Sequence, residues 1–370
     1  MTATELVAAL VAIDSVNPDL VPGGAGEGEV AAFVADWMRD AGLEVEIDEA
    51  APGRPSVVGI ARGTGGGRSL MLNGHLDTVG TDGMDRPFEP AVRDGRLHAR
   101  GGYDMKAGVA ACMIAARRLA KEGLAGDVIV TAVADEEYAS IGTQSVLGRW
   151  SADAAIVTEP TALRVCVAHK GFVWAELETR GRAAHGSRPD EGVDAITRMA
   201  PALSRLAELQ ARLDGGTGHD LVGPGSVHAS LVEGGQELSS YPARCVLSLE
   251  RRTEPGESAE HFRQECEALL EGIDDAEARM GLVRPPFSVD PEADVVRAVS
   301  AAAETVTGRP ARVYGETYWM DAALIQAAGI PTVVFGPAGE GAHAVDEWVD
   351  LASVDACAEG LVAAARELCA

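Results

Sequence analysis

Short apolar runs that stop abruptly at a histidine or an acid recur along this chain, and they limit what it can fold into. Ser69-Leu-Met-Leu-Asn-Gly ends at His75. The β-branched run Asp127-Val-Ile-Val-Thr-Ala-Val133 ends in Ala134-Asp135-Glu136-Glu137-Tyr138. Ala154-Ala-Ile-Val-Thr158 closes on Glu159-Pro160, and Ile330-Pro-Thr-Val-Val-Phe335 runs into a glycine-rich stretch that reaches His343. Such runs read as buried strands. Alternating with helical patterns, they predict an α/β unit with a mostly parallel sheet sandwiched by helices. A fifth piece, Arg100-Gly-Gly-Tyr-Asp104-Met-Lys106, precedes an apolar stretch of helical length, Val109–Leu119, and puts Asp104 at a helix start.

Each piece alone has an ordinary explanation. His75 with Asp77 two residues on reads as a surface turn, and Asp104 as an N-cap, a position that favours Asp. The acidic run reads as a solvated loop, and His343 as a hydrogen-bonded loop residue. Together they read differently. Three acids in a row after a core strand are costly unless something cationic holds them, and one acid could ligate a metal while its neighbour moves a proton. The glycines before Asp104 let the backbone turn tightly into a cleft, where its carboxylate could bridge two cations about 3.5–4 Å apart. Asp77 could accept the second imidazole proton of His75 and fix its tautomer. Two histidines and three carboxylates with no thiolate suit Zn²⁺ or another divalent first-row ion.

Gly74-His75-Leu76-Asp77-Thr78-Val79, Gly102-Tyr103-Asp104-Met105-Lys106, Asp135-Glu136-Glu137, Thr158-Glu159-Pro160 and Gly341-Ala342-His343 resemble, nearly end to end, the co-catalytic zinc aminoacylase and deacylase family. Its members include acetylornithine deacetylase, succinyl-diaminopimelate desuccinylase, aminoacylase-1 and glutamate carboxypeptidase. The resemblance implies two Zn²⁺ ions, with Co²⁺ or Mn²⁺ as substitutes. His75 and Glu159 would hold one, Glu137 and His343 the other, with Asp104 as the bridge. Glu136 would be the general base and Asp77 the partner of His75.

The chain has 370 residues, too many for one ordinary core, so two domains are expected. Up to Glu159 strands and helices alternate. From about His169 the texture changes, since Gly171-Phe-Val-Trp-Ala-Glu-Leu-Glu-Thr179 alternates apolar and polar residues like an antiparallel strand with one open face. A β-α-β-β-α order follows. The expected organisation is a discontinuous catalytic domain, 1–168 and 286–370, interrupted at 169–285 by an inserted α+β ferredoxin-like lid and dimerisation domain. A net charge of −26 argues against nucleic acid and anionic membranes, since binding phosphates needs a concentrated positive face. No apolar run reaches the ~18 residues of a membrane span. The start carries no basic and apolar leader pattern, and the six cysteines show no C-x-x-C spacing. Buried free thiols in a reducing cytoplasm are the expectation.

In the inserted region, Gly181-Arg-Ala-Ala-His185-Gly-Ser-Arg188-Pro189 resembles the family segment whose histidine crosses a dimer interface to hydrogen-bond the oxyanion. Such a donor is worth roughly 2.7–4 kcal/mol. The ordinary reading is a solvated loop histidine. Leu249-Glu250-Arg251-Arg252-Thr-Glu-Pro-Gly256 matches a family stretch whose arginine binds the substrate carboxylate, and its spacing selects Arg252 over Arg251. Two departures stand out. Ser239 occupies the place where many relatives carry asparagine, and Gly315-Glu-Thr-Tyr-Trp-Met-Asp321 brings bulky Tyr318, Trp319 and Met320 toward the cleft, unless they pack against the sheet. The expectation is an amidohydrolase that removes an N-acyl group from an amino acid and works as a homodimer through the inserted domain. A metallo-carboxypeptidase or dipeptidase is the alternative within the enzyme class. A non-catalytic oligomeric binding protein is the alternative outside it.

Overall fold

The computed structural model describes all 370 residues. The chain divides into two compact units. One comprises Met1–Val167, Val289–Tyr314 and Met320–Ala370, and the other Ala168–Ser288 with Gly315–Trp319.

The first unit is built on a mixed sheet. Its strands run Glu44–Ala51, Arg54–Ala61, Val128–Val133, Leu70–His75, Ala154–Val157, Thr332–Val334 and Val165–His169, the last paired through Cys166. The central pairings are parallel. Leu70 faces Val128 and His75 faces Val133, Asn73 faces Val157, and Val334 faces Val157 from the other side. These central strands are buried along their whole length, as strands covered on both faces must be. Antiparallel pairs flank them: Arg54–Ala61 is buried, and its hairpin partner Glu44–Ala51 is half exposed and shows no apolar run.

Side-chain alternation along Arg54–Ala61 shows how both faces are covered. Val58 and Ile60 cluster with Val146 from the helix Ile141–Leu147. A Cβ at Gly59, on the opposite face, would meet Met38 of the helix Gly28–Asp40. The helix Ala107–Leu119 approaches even more closely, since a Cβ at Gly108 would lie 2.2 Å from the carbonyl oxygen of Thr158. Glycine there lets the first turn of this helix sit against the end of Ala154–Val157.

The second unit runs Gly171–Arg180, helix Ala195–Asp214, Ser226–Gly234, Arg244–Thr253, helix Ala259–Leu269 and Ala276–Arg284. Its four strands are antiparallel, with Arg244–Thr253 and Gly171–Arg180 in the middle and Ser226–Gly234 and Ala276–Arg284 at the edges. This β-α-β-β-α-β order is that of a ferredoxin-like sandwich. Its core joins Val173, Leu177, Leu247 and Leu249 of the sheet to Met199, Leu206, Phe262 and Cys266 of the helices. The last strand escapes sequence reading because Glu277, Arg279 and Arg284 interrupt its apolar positions. No helix is long and apolar enough to cross a membrane, and all six cysteines are buried and unpaired.

Phe262 is 1% exposed in that core. Phe262→Ala is expected to remove about 3–5 kcal/mol from the unit that holds it, read as a lowered denaturant midpoint. An unchanged midpoint would show that the helix Ala259–Leu269 adds nothing to the core.

Candidate metal centre

Parallel register brings the candidate ligands together. The strands ending at His75, Val133, Val157 and Val334 point the same way, so the segments that follow them emerge at one edge of the sheet, where open α/β folds bind their ligands. His75 closes the first strand, Asp135-Glu136-Glu137 follows the second, Thr158-Glu159 the third, and the fourth leads through its glycine loop to His343.

Two groups of ligand-type side chains form there: His75 with Asp104 and Glu159, and Asp104 with Glu137 and His343. Within each group the ligand atoms lie within 4.8 Å of one another. Asp104 belongs to both. Its Oδ1 is 3.3 Å from His75 Nε2, and its Oδ2 is 3.3 Å from His343 Nε2. Glu159 Oε1 lies 3.6 Å from His75 Nε2, and Glu137 Oε2 lies 3.0 Å from His343 Nε2. Asp104 does not cap a helix, because its backbone is extended and the helix begins at Ala107. Glu347 holds the Asp104 turn, its carboxylate accepting the main-chain N–H of Gly101, Tyr103 and Asp104 and a guanidinium N–H of Arg100.

His75 is oriented differently from the sequence expectation. Its Nδ1 lies 3.0 Å from the main-chain carbonyl of Asp77, while the Asp77 carboxylate is 3.6 Å away. A carbonyl can only accept, so Nδ1 donates to it, and Nε2 is the ring atom turned toward Asp104 and Glu159. The Asp77 carboxylate is engaged elsewhere. Its Oδ1 accepts the main-chain N–H of Glu136 and its Oδ2 that of Glu137, each at 3.1 Å. Glu136 is thereby aimed with its Oε2 3.9 Å from His75 Nε2.

The electrostatics call for positive charge. Burial and the neighbouring Glu159 push Glu136 well above the usual carboxylate range. Burial likewise raises Glu159, and burial with the Asp104 charge raises Glu137 to about 7. Burial opposes charge on His75 too, yet the Asp104 hydrogen bond and the Glu159 and Glu136 charges lift its pKa well above the ordinary value. Hydrogen bonds that the His343 ring donates to Asp104 and Glu137 lift its pKa to about 10. Burial also acts against charge on Asp104, but its two imidazole partners hold it below the usual range. Two imidazole nitrogens set among carboxylates, acids crowded into a buried cluster, and a Glu137 Oε1 without a hydrogen-bond partner are the features that divalent cations satisfy. The donor set therefore fits two metals. Asp321, whose carboxyl accepts from Thr143 and is pushed by burial to about 6, is buried in the same unit.

The remaining candidates lie in the second unit. His185 is exposed, and Ala184–Gly186 lies along Ser239–Tyr241. Gly186 N donates to the Ser239 carbonyl at 2.7 Å and Tyr241 N to that of Ala184 at 2.9 Å, so His185 and Ser239 share one loop pair. Arg251 is consumed by Glu257, Glu265 and the Arg252 carbonyl. Arg252 is partly exposed, bonded through Nε to Glu250 and lying over Phe172. Tyr318 is 41% exposed, but Trp319 and Met320 are buried. Trp319 packs edge-on to Phe172 and donates its indole N–H to the Pro285 carbonyl, so these two residues pack rather than reach for substrate. Sequence reasoning missed Glu347, Arg100, Asn17 and Arg54. Their partners are distant in sequence and chosen by the packing, which leaves no local signal.

Residues 71–367 match the family described as Peptidase family M20/M25/M40. The chain is 31% identical to an acetylornithine deacetylase of Myxococcus xanthus, over 100% of this chain and 97% of that protein. Among solved structures it is similar to the aminopeptidase PepT of Bacillus cereus, with TM-score 0.81 and 22% identity over 99% of this chain and 98% of that one. It is also similar to the Bacillus subtilis YXEP protein, a dinuclear metal binding peptidase from the M20 family, with TM-score 0.74 and 18% identity over 99% and 97%. With its paired ligand groups and its match over most of its length, the chain belongs to the M20/M25/M40 peptidase family and is a metal-dependent hydrolase of amide bonds.

Proposed function

We propose that this protein removes an N-acyl group from an amino acid, using two divalent cations, with Zn²⁺ as the native pair. The observation that carries the proposal is the shared Asp104, which turns one oxygen toward each of two imidazoles. His75, Asp104 and Glu159 would hold one ion, and Asp104, Glu137 and His343 the other. The chemistry such a pair supplies is Lewis acidity at the scissile carbonyl and a lowered pKa for the attacking water. Glu136, tied through its main chain to Asp77 and outside both ligand groups, takes a proton from that water. It returns the proton to the nitrogen as the C–N bond breaks. The end-to-end similarity to an acetylornithine deacetylase supports an N-acyl amino acid as substrate.

Arg252 would receive the substrate carboxylate, with Ser239 and Tyr318 contributing to side-chain preference. His185 would donate to the oxyanion. The Ser187 main-chain N–H lies 3.2 Å from His185 Nδ1, which leaves the proton of a neutral ring on Nε2, free to be given to an acceptor. We also propose that the second unit is a lid and dimerisation domain, so that His185 acts on the partner's site. Its edge strand Ser226–Gly234 exposes Leu231 and Val232 at 64% and 63%, and such an edge is a template for pairing with a second copy. Six unpaired thiols suit a reducing cytoplasm.

A panel of N-acyl amino acids and dipeptides assayed on zinc-loaded protein tests the substrate class. Turnover of dipeptides alone would overturn the deacylase reading in favour of a peptidase. Glu136→Ala is expected to keep two metals per chain and lower kcat by roughly 10²–10⁴, checked by elemental analysis beside steady-state kinetics. Loss of a metal with turnover surviving would mean that Glu136 and Glu137 exchange roles.

Asp104→Ala should act on both positions at once. Reduced metal content at each and a lower melting temperature are expected, because ions that bind only the folded chain stabilise it. A fully metallated and equally stable variant would remove Asp104 from the bridge.

His185→Ala is expected to depress kcat with metal content intact. After verified subunit exchange with Glu136→Ala, part of the activity should return, since a hybrid dimer has one site with both Glu136 and a donated His185. No recovery would place His185 within its own subunit's chemistry or outside the mechanism.

A further inference from the structure

Behind the acid run lies a buried polar cluster in which Asn17 holds the central place. Its main chain follows Leu76–Thr78. Asn17 N donates to the Thr78 carbonyl at 2.9 Å, Thr78 N to that of Ser15 at 3.0 Å, and the Ser15 hydroxyl to that of Leu76 at 2.7 Å. The Asn17 side chain is fully enclosed and every hydrogen-bonding position on it is used. Its Oδ1 accepts from Asp19 N and Leu20 N. Its Nδ2 donates one hydrogen to Asp77 Oδ2 at 2.8 Å and the other to Asp135 Oδ1 at 2.9 Å.

Those two acceptors control the direction of the working acids. Asp77 receives the amides of Glu136 and Glu137. Asp135 begins the same turn with φ at +68°, a left-handed conformation that a residue with a Cβ adopts at a cost unless its surroundings impose it. Glu27 accepts its main-chain N–H, and Arg54 donates to its carboxylate at 2.9 Å while binding Glu27 with two nitrogens. An amide side chain alone donates to both buried carboxylates while its oxygen accepts the Asp19 and Leu20 main-chain N–H groups, an acceptance that a lysine or arginine cannot supply. A carboxylate in that place would face two like charges, and an aliphatic side chain would leave two buried acceptors without partners.

We propose that Asn17 is a positioning residue for the hydrolytic centre. By tying Asp77 to Asp135 it fixes the turn that aims Glu136 at the reacting water and Glu137 at its metal. The inference rests on the roles assigned above to Glu136 and Glu137.

The test compares Asn17→Ala and Asn17→Asp with Ser15→Ala, which loses a buried hydrogen bond of the same segment without touching the Asp77–Asp135 tie. Zinc affinity is measured by equilibrium competition with a chromophoric chelator, and kcat and KM at saturating zinc on the best N-acyl amino acid. Both Asn17 variants are expected to bind zinc about 10–100-fold more weakly. Their kcat should fall by about 10²-fold with KM nearly unchanged. Ser15→Ala should lose thermal stability but keep zinc affinity and kcat near wild type. Folded Asn17 variants with wild-type affinity and turnover would overturn the proposal, as would equal losses in Ser15→Ala. If neither Asn17 variant can be recovered folded, the residue serves the fold alone, and the proposal is again overturned. If wild-type protein hydrolyses no N-acyl amino acid, the substrate reading fails, while the zinc competition still decides the role of Asn17.

Discussion

Mutual repulsion among buried carboxylates is the constraint around which this protein is organised. Asp77, Asp135 and Glu159 are nearly inaccessible, and Asp104, Glu136 and Glu137 crowd the same edge of the sheet. Two such charges about 4 Å apart repel by roughly 4 kcal/mol at an effective dielectric constant near 20. A fold that gathers this many must supply compensating donors for each.

It does so in layers. Acids that move no proton and hold no metal are satisfied by the protein itself: Asp77 by the amides of Glu136 and Glu137 and by Asn17, Asp135 by Arg54 and Asn17, and Glu347 by the amides of Gly101, Tyr103 and Asp104 and by Arg100. Those that face the centre have fewer protein donors: burial raises Glu136, Glu137 and Glu159, while two imidazoles hold Asp104 below the usual range. The same division of labour separates support from chemistry. A saturated carboxylate is a rigid strut, whereas an undersatisfied one attracts cations or holds a proton.

Much of the first unit was legible because its central strands are buried on both faces. Burial on both sides forces nearly continuous apolar runs, and such runs are easy to see. The outer strand Glu44–Ala51 and the strand Ala276–Arg284 were not, since charged residues among exposed positions dilute the pattern. Trp319 of the second unit and Met320 of the first looked available for substrate, yet both are buried. A bulky apolar residue after a turn carries the same letters whether it packs inward or faces a ligand.

The sequence by itself determined which residue types stand at the ends of the buried strands, and with them the kind of chemistry available. Histidines and carboxylates without thiolates point to hard or borderline divalent ions wherever they meet. Only the tertiary structure decided how they meet. Parallel register brings His75, Glu137, Glu159 and His343 to one edge, and Asp104 divides its two oxygens between two imidazoles. It also decided that Asp77 supports the acid run through main-chain amides while its carbonyl, not its carboxylate, lies nearest the His75 ring. Hydrogen bonds of a few ångströms between residues 60 to 118 positions apart, such as those of Asn17 with Asp77 and Asp135, leave no local periodicity, because their partners are chosen by the packing of the whole sheet.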